Sequence, residues 1–212
     1  MFEWANLSIF LATAVVLTIA PGPDLVFLAT QSIGNGPRAG FATAMGLSAG
    51  NLVHTLAAAL GVSVIFQTSA AAFTALKIAG AVYLLYLAYK AFRAVPSDDA
   101  SETAPEVASG RSLFWRGVLM NTLNPKVALF FLAFLPQFTI ASAPEPIWQQ
   151  MLVLGLLFTL QVVVVFGSAG LFAGAISQRF RGKGSGKFGR YANKVVGVVF
   201  VGLAVRLLLV EK

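Results

Sequence analysis

The chain has 212 residues, 58% of them hydrophobic and 11% charged, with a mean hydropathy of +0.81. That composition excludes an ordinary soluble domain and points to a polytopic membrane protein. There are no cysteines, which excludes disulfide exchange, thiolate metal sites and iron–sulfur chemistry. The net charge of +7 lies in loops between apolar segments, where it reads as a topology signal rather than a nucleic-acid surface.

Apolar runs of about 20 residues place six spans near residues 5–32, 40–66, 71–92, 113–138, 147–177 and 190–210. The start, Met1-Phe2-Glu3-Trp4, lacks the positive region of a cleaved signal peptide, so span 1 is expected to stay as a membrane helix. Span 1 is interrupted by Pro21-Gly22-Pro23-Asp24. A proline removes a backbone donor and clashes with the preceding turn, so the helix must break there. Asp24 follows at once, a charge that costs about 2.5–3.5 kcal/mol or more in hydrocarbon and therefore needs a function or a partner.

Span 2 carries the chain's one histidine. Asn51, His54 and Thr55 lie at i, i+3 and i+4 and so share one helix face. A midplane imidazole serves either as a proton carrier or as a hydrogen-bonded link between helices. Gly46 and Gly50 form a small-xxx-small pair suited to close helix packing. In span 3, Tyr83, Tyr86 and Tyr89 approach the cytoplasmic interface, and of these Tyr83 is deep enough to reach a central cavity. Lys77 near the other end of that span, and Arg206 late in span 6, can snorkel to the outer interface.

Residues 96–106 are acidic and small, with nothing to bury, and read as a flexible linker. Span 4 then repeats the anomaly of span 1 at Asn124-Pro125-Lys126, where Asn is a favoured N-cap and Pro a favoured first helical residue. Span 5 contains Gly170 and Gly174, again spaced for packing, and Gln161, which lines the cavity or bonds a neighbouring helix. The expected fold is an all-α membrane protein of two inverted three-helix repeats, residues 1–95 and 111–212, joined by a cytoplasmic linker at 96–110. An odd number of spans per repeat forces the inversion, and matched breaks in spans 1 and 4 point to a midplane binding site. Lys and Arg crowd the 3–4 and 5–6 connections, which places those loops in the cytoplasm and both termini outside.

A helix restart at Asn124-Pro125 reinforced by Lys126 suits a carboxylate, and Asp24 suits an ammonium group or a proton. Together they suit an amino-acid-sized zwitterion moved by a transporter. The alternative is that Asp24 and Lys126 neutralise each other as a buried ion pair that fixes the packing. Export of a metal or other small cation is a rival reading, but one histidine, no cysteine and one buried carboxylate make a poor ligand set. An intramembrane enzyme or redox carrier lacks a cysteine pair, a His-Glu metal motif and a nucleophile with a base. Neither a metal nor any other cofactor is expected, and the partners are the substrate, protons and the bilayer. Exposed small-residue faces leave room for a homodimer.

Ala20-Pro21-Gly22-Pro23-Asp24, Gly46 through His54, Leu76-Lys77, Gly80 through Leu84, Phe114-Trp115-Arg116-Gly117, Asn121, Asn124-Pro125-Lys126 and Phe130 through Phe138 together resemble the LysE/RhtB family of amino-acid exporters. The resemblance spans nearly the whole chain in the family's order. It implies a six-helix inner-membrane exporter of amino acids or related metabolites driven by the proton gradient. It carries motif status to Pro21, Gly22, Pro23, Asp24, Gly50, His54, Lys77, Asn124, Pro125 and Lys126. Asn51 stands where members often have an acidic residue, which leaves Asp24 as the better protonatable carboxylate, with His54 second.

Overall fold

The computed structural model describes residues 4–20, 22–64, 69–93, 108–179, 201 and 205. Within them α1 (Trp4–Ile19) stops short of the Pro-Gly-Pro run and α2 (Pro23–Asn35) restarts with Pro23 at its first turn, the two axes bent by 60°. A sharp corner follows. Gly36 has φ 87, in the left-handed region, and leads into Pro37 at the start of α3 (Pro37–Ala57), which continues through a π-helical turn at Ala58–Val62. Glycine is needed at 36 because a Cβ is unfavourable at that φ.

Next come α4 (Ala70–Arg93) and α5 (Gly110–Thr122), whose N-cap Ser109 accepts from the Ser112 amide. The second break follows, and α6 (Pro125–Leu129) runs on through a π-helical turn at Phe130–Phe134 and a 3-10 turn at Leu135–Phe138. The axes before and after this break differ by 49°. The last described helix is α7 (Ile147–Arg179). Two unbroken helices, Pro37–Val62 and Ile147–Ala175, are long and apolar enough to cross a membrane, and each bent pair passes the same test as one broken span. The predicted linker and sixth span lie outside the described residues, apart from Ala108, Ser109 and Gly110 of the former and Val201 and Val205 of the latter.

Among the described helices α3 is the most central, packed most extensively on α7 and α5. The halves expected from the sequence therefore interlock. Small residues make this contact close: a Cβ on Gly117 would lie 2.9 Å from both the Leu47 amide nitrogen and the Thr43 carbonyl oxygen. Gly46 meets the backbone of Phe114, Gly50 meets Asn121 and the Val118 carbonyl, Gly170 faces the Gly40 backbone, and Gly174 faces Pro37. Where lipid tails are as apolar as leucine, such contact is a main source of helix association. Gly117→Val is accordingly expected to cost about 1–3 kcal/mol by overpacking against backbone that cannot yield. Thermal unfolding in detergent would show it as a lowered midpoint. Gly61→Ala, where a Cβ meets nothing within 4 Å, should leave the midpoint in place.

The core beside this seam is aromatic. Phe130 and Phe131 each lie 5.1 Å, ring to ring, from Phe158, and Phe134 and Phe10 reach Phe138 at 5.0 and 5.2 Å. Each such pair adds about 0.5–1.5 kcal/mol beyond its buried area. The run Phe130 to Phe138 thus faces protein, while Phe27 is half-buried. On α7, Met151, Leu154, Phe158, Val162 and Phe166 form the buried stripe, while Leu156, Leu160, Val164, Leu171 and Phe172 are exposed on the rest of the helix, as a lipid-facing surface requires.

Candidate functional site

The two breaks lie against each other. At the first, the Leu17 carbonyl would ordinarily accept from the nitrogen of residue 21, but that residue is proline and has no N–H. The orphaned carbonyl is met from the other half of the chain: the Lys126 ammonium donates to Leu17 O and Ala20 O, each at 3.3 Å. A cation there also complements the negative C-terminal end of α1. Asp24, in the first turn of α2, sits at that helix's positive end and places Oδ2 3.9 Å from Lys126 Nζ.

Asn124 ties these charges together. Its Oδ1 accepts from the Lys126 amide at 3.0 Å as the N-cap of α6, and its Nδ2 donates to Asp24 Oδ1 in a very short contact. One side chain therefore starts a helix and holds the carboxylate of the opposite break. Asp24, Asn124 and Lys126 are each 2–3% exposed, so little of the charge on Asp24 and Lys126 is screened by water. The pair is direct, with each partner also bonded to backbone or amide, which is the condition under which a buried ion pair is tolerable.

A small cavity opens beside this cluster. Asp24, Lys126, Asn51, Asn121 and Thr18 form its polar side, and Leu17, Val127, Phe158, Val162 and Phe166 form its apolar side. It leaves about 10 Å³ for the centre of a water molecule, room for about one. Both side-chain polar atoms of Asn51, and Oδ1 of Asn121, are buried without a protein partner. Buried carboxamides left in that state are costly, about 1–3 kcal/mol per group, and here they border the cavity with the charged pair.

Gln161 is tied to the same wall through Thr18, at 3.2 Å. The Thr18 hydroxyl faces two acceptors, Gln161 Oε1 and, at 2.8 Å, the Ala14 carbonyl, and the Gln161 amide nitrogen is buried without a partner among the described residues. His54 stands one turn beyond Asn51 on α3. Its Nε2 bonds the Asn121 carbonyl at 3.0 Å, and its ring lies 5.7 Å from that of Phe131. It thereby links α3 to the end of α5, beside the second break.

The geometry thus brings together Asp24, Asn51, Asn124 and Lys126 of the residues singled out from the sequence. His54 and Tyr83 do not line the cavity; Tyr83 is half-buried on α4, its ring 5.9 Å from that of Tyr86. Gly22 lies over the ammonium, where a Cβ would meet Lys126 Nζ at 2.9 Å, and Pro23 and Pro125 occupy first helical turns. Pro21 lies outside the described residues. Thr18, Asn121 and the Leu17 and Ala20 carbonyls belong to the site without having been singled out for it. The signal for Leu17 was present as a proline four residues later, whereas nothing local marks Thr18.

Comparison with known proteins agrees with this architecture. The LysE type translocator family model matches residues 15–211. The uncharacterized membrane protein YrhP of Bacillus subtilis (strain 168) is 31% identical over 95% of this chain and 97% of its own. A homoserine/homoserine lactone efflux protein of Salmonella typhimurium is 32% identical over 94% and 93%, and a leucine efflux protein of Salmonella choleraesuis is 28% identical over 93% and 92%. No solved structure matches the chain. A multi-pass membrane protein with a buried polar site between two broken helices, matched along nearly its full length, is a transporter rather than an enzyme, and the chain belongs to the LysE type translocator family.

Proposed function

We propose that this protein exports amino acids or closely related metabolites across the bacterial cytoplasmic membrane, in exchange for protons. The observation that carries the reading is the joining of Asp24 and Lys126 at 3.9 Å on a cavity that also bears the unpartnered carboxamide of Asn51 and the unpartnered Oδ1 of Asn121. A zwitterion presents one group for each charge, and a carboxamide supplies both a donor and an acceptor. The substrate carboxylate would face Lys126 and the α6 N-terminus, and its amine would face Asp24. The efflux activities named for the two Salmonella relatives support this substrate class.

Room for about one water is too little for an amino acid, so binding requires the helices around the breaks to part. Alternating access would supply that motion, with the two halves as inverted repeats rocking about α3 and with protons entering at Asp24. The 60° and 49° bends at corresponding places in the first and fourth expected spans support this reading. In this reading the basic loops are cytoplasmic and both termini are outside.

Purified protein in vesicles, loaded with a panel of radiolabelled amino acids and given an imposed proton gradient, tests the proposal. Export of at least one amino acid should be accelerated by the gradient and collapse when a protonophore dissipates it. Gradient-independent release of every compound in the panel would remove the coupling, and no release of any would remove the substrate class.

A further inference from the structure

The Lys126 ammonium occupies a place built from the other half of the chain. Among the described residues its oxygen neighbours are the Leu17 and Ala20 carbonyls, each at 3.3 Å, and Asp24 Oδ2 at 3.9 Å. None of these belongs to the helix that carries Lys126. The Leu17 carbonyl is there because Pro21 offers it no N–H, and Gly22 leaves the room, since a Cβ would stand 2.9 Å from the ammonium nitrogen. Leu17, Asp24 and Lys126 border the cavity, so the place opens toward it. In broken membrane helices, carbonyls at such an end commonly coordinate a coupling cation. Here the cation is covalently tethered through a flexible four-carbon stem.

We propose that the Leu17 and Ala20 carbonyls and the Asp24 carboxylate form a seat for a primary ammonium group, held in this conformation by Lys126 and taken over in transport by the substrate's own amine. The exchange conserves charge in the seat. An ammonium leaves and an ammonium enters, while the displaced Lys126 becomes free to meet the substrate carboxylate. The two carbonyls accept from hydrogens of an –NH₃⁺ group, and the carboxylate 3.9 Å away complements its charge. A quaternary ammonium has no hydrogen to donate and is too wide. Naming the substrate's amine as the natural occupant rests on the amino-acid reading above, whereas the seat itself does not.

Lys126→Ala vacates the seat and makes it accessible to free ions. In detergent, the purified variant should gain thermal stability with rising methylammonium or ethylammonium, by several degrees at saturation, while wild type gains none. Tetramethylammonium and sodium should have no comparable effect. Equal stabilisation by sodium would overturn the seat as an ammonium site and make it a metal-ion site, and no stabilisation by any alkylammonium would overturn it altogether. Should the variant fail to accumulate, cell-free synthesis into liposomes with and without ethylammonium makes the same comparison. There a folded yield that does not rise with the ion counts against the proposal. Wild-type vesicles that fail to export amino acids would defeat only the substrate reading, because the stability shift is measured without transport.

Discussion

Replacing Asp24 with asparagine is expected to lower gradient-driven efflux by at least about 100-fold while the protein still inserts and purifies. The carboxamide preserves much of the local geometry, since its Oδ1 can still accept from Asn124 Nδ2. Lys126 also keeps its bonds to Leu17 and Ala20. What is lost is the charge. Removing one partner of a buried pair costs about 3–5 kcal/mol, and every 1.4 kcal/mol is about tenfold in an equilibrium constant. The same change removes the carboxylate that would carry the proton. Vesicle efflux measured beside size-exclusion profiles separates function from folding. Efflux at the wild-type rate by a monodisperse Asp24→Asn protein would end the case for Asp24 as the coupling group.

Asn124 gives the second large effect, and its direction depends on which of its two bonds is kept. Serine at 124 still caps α6 by accepting from the Lys126 amide but has no amide to donate to Asp24. A bond to a charged group is worth about 1.5–3 kcal/mol, so Asn124→Ser should lose about ten- to a hundredfold in transport. Aspartate at 124 keeps the cap acceptor too, but sets a second carboxylate against Asp24 where both positions are about 2% exposed. That repulsion should make Asn124→Asp worse than the serine variant by a further factor of about ten. Initial efflux rates at matched protein density decide the order. An aspartate variant as active as the serine variant would show that the contact with Asp24 is incidental.

Both effects follow from residues that a local reading can find but cannot connect. Pro21, Pro23 and Pro125 announce breaks because a missing N–H is a property of one residue, and Asn124 announces a cap because its acceptor reaches only to Lys126, two residues on. The apolar runs similarly reveal the membrane helices, since span length follows from bilayer thickness and helical rise. Glycine spacing marks a seam for the same reason. The partner of each seam is not local: nothing near Gly117 indicates that it will lie against Thr43 and Leu47.

A helical membrane chain, two interrupted spans and a charge after each interruption are legible from residue order alone, because they follow from covalent chemistry and from hydrocarbon as a solvent. Where those charges go is set by tertiary packing. Lys126, which reads locally as a positive addition to the start of its own helix, instead completes the end of α1, because the carbonyls freed by one broken helix are satisfied by a donor from the other. Asn121 joins the site for a related reason. Its position relative to Asp24 depends on how closely the glycine seam brings α5 to α3, and packing between distant segments sets that distance.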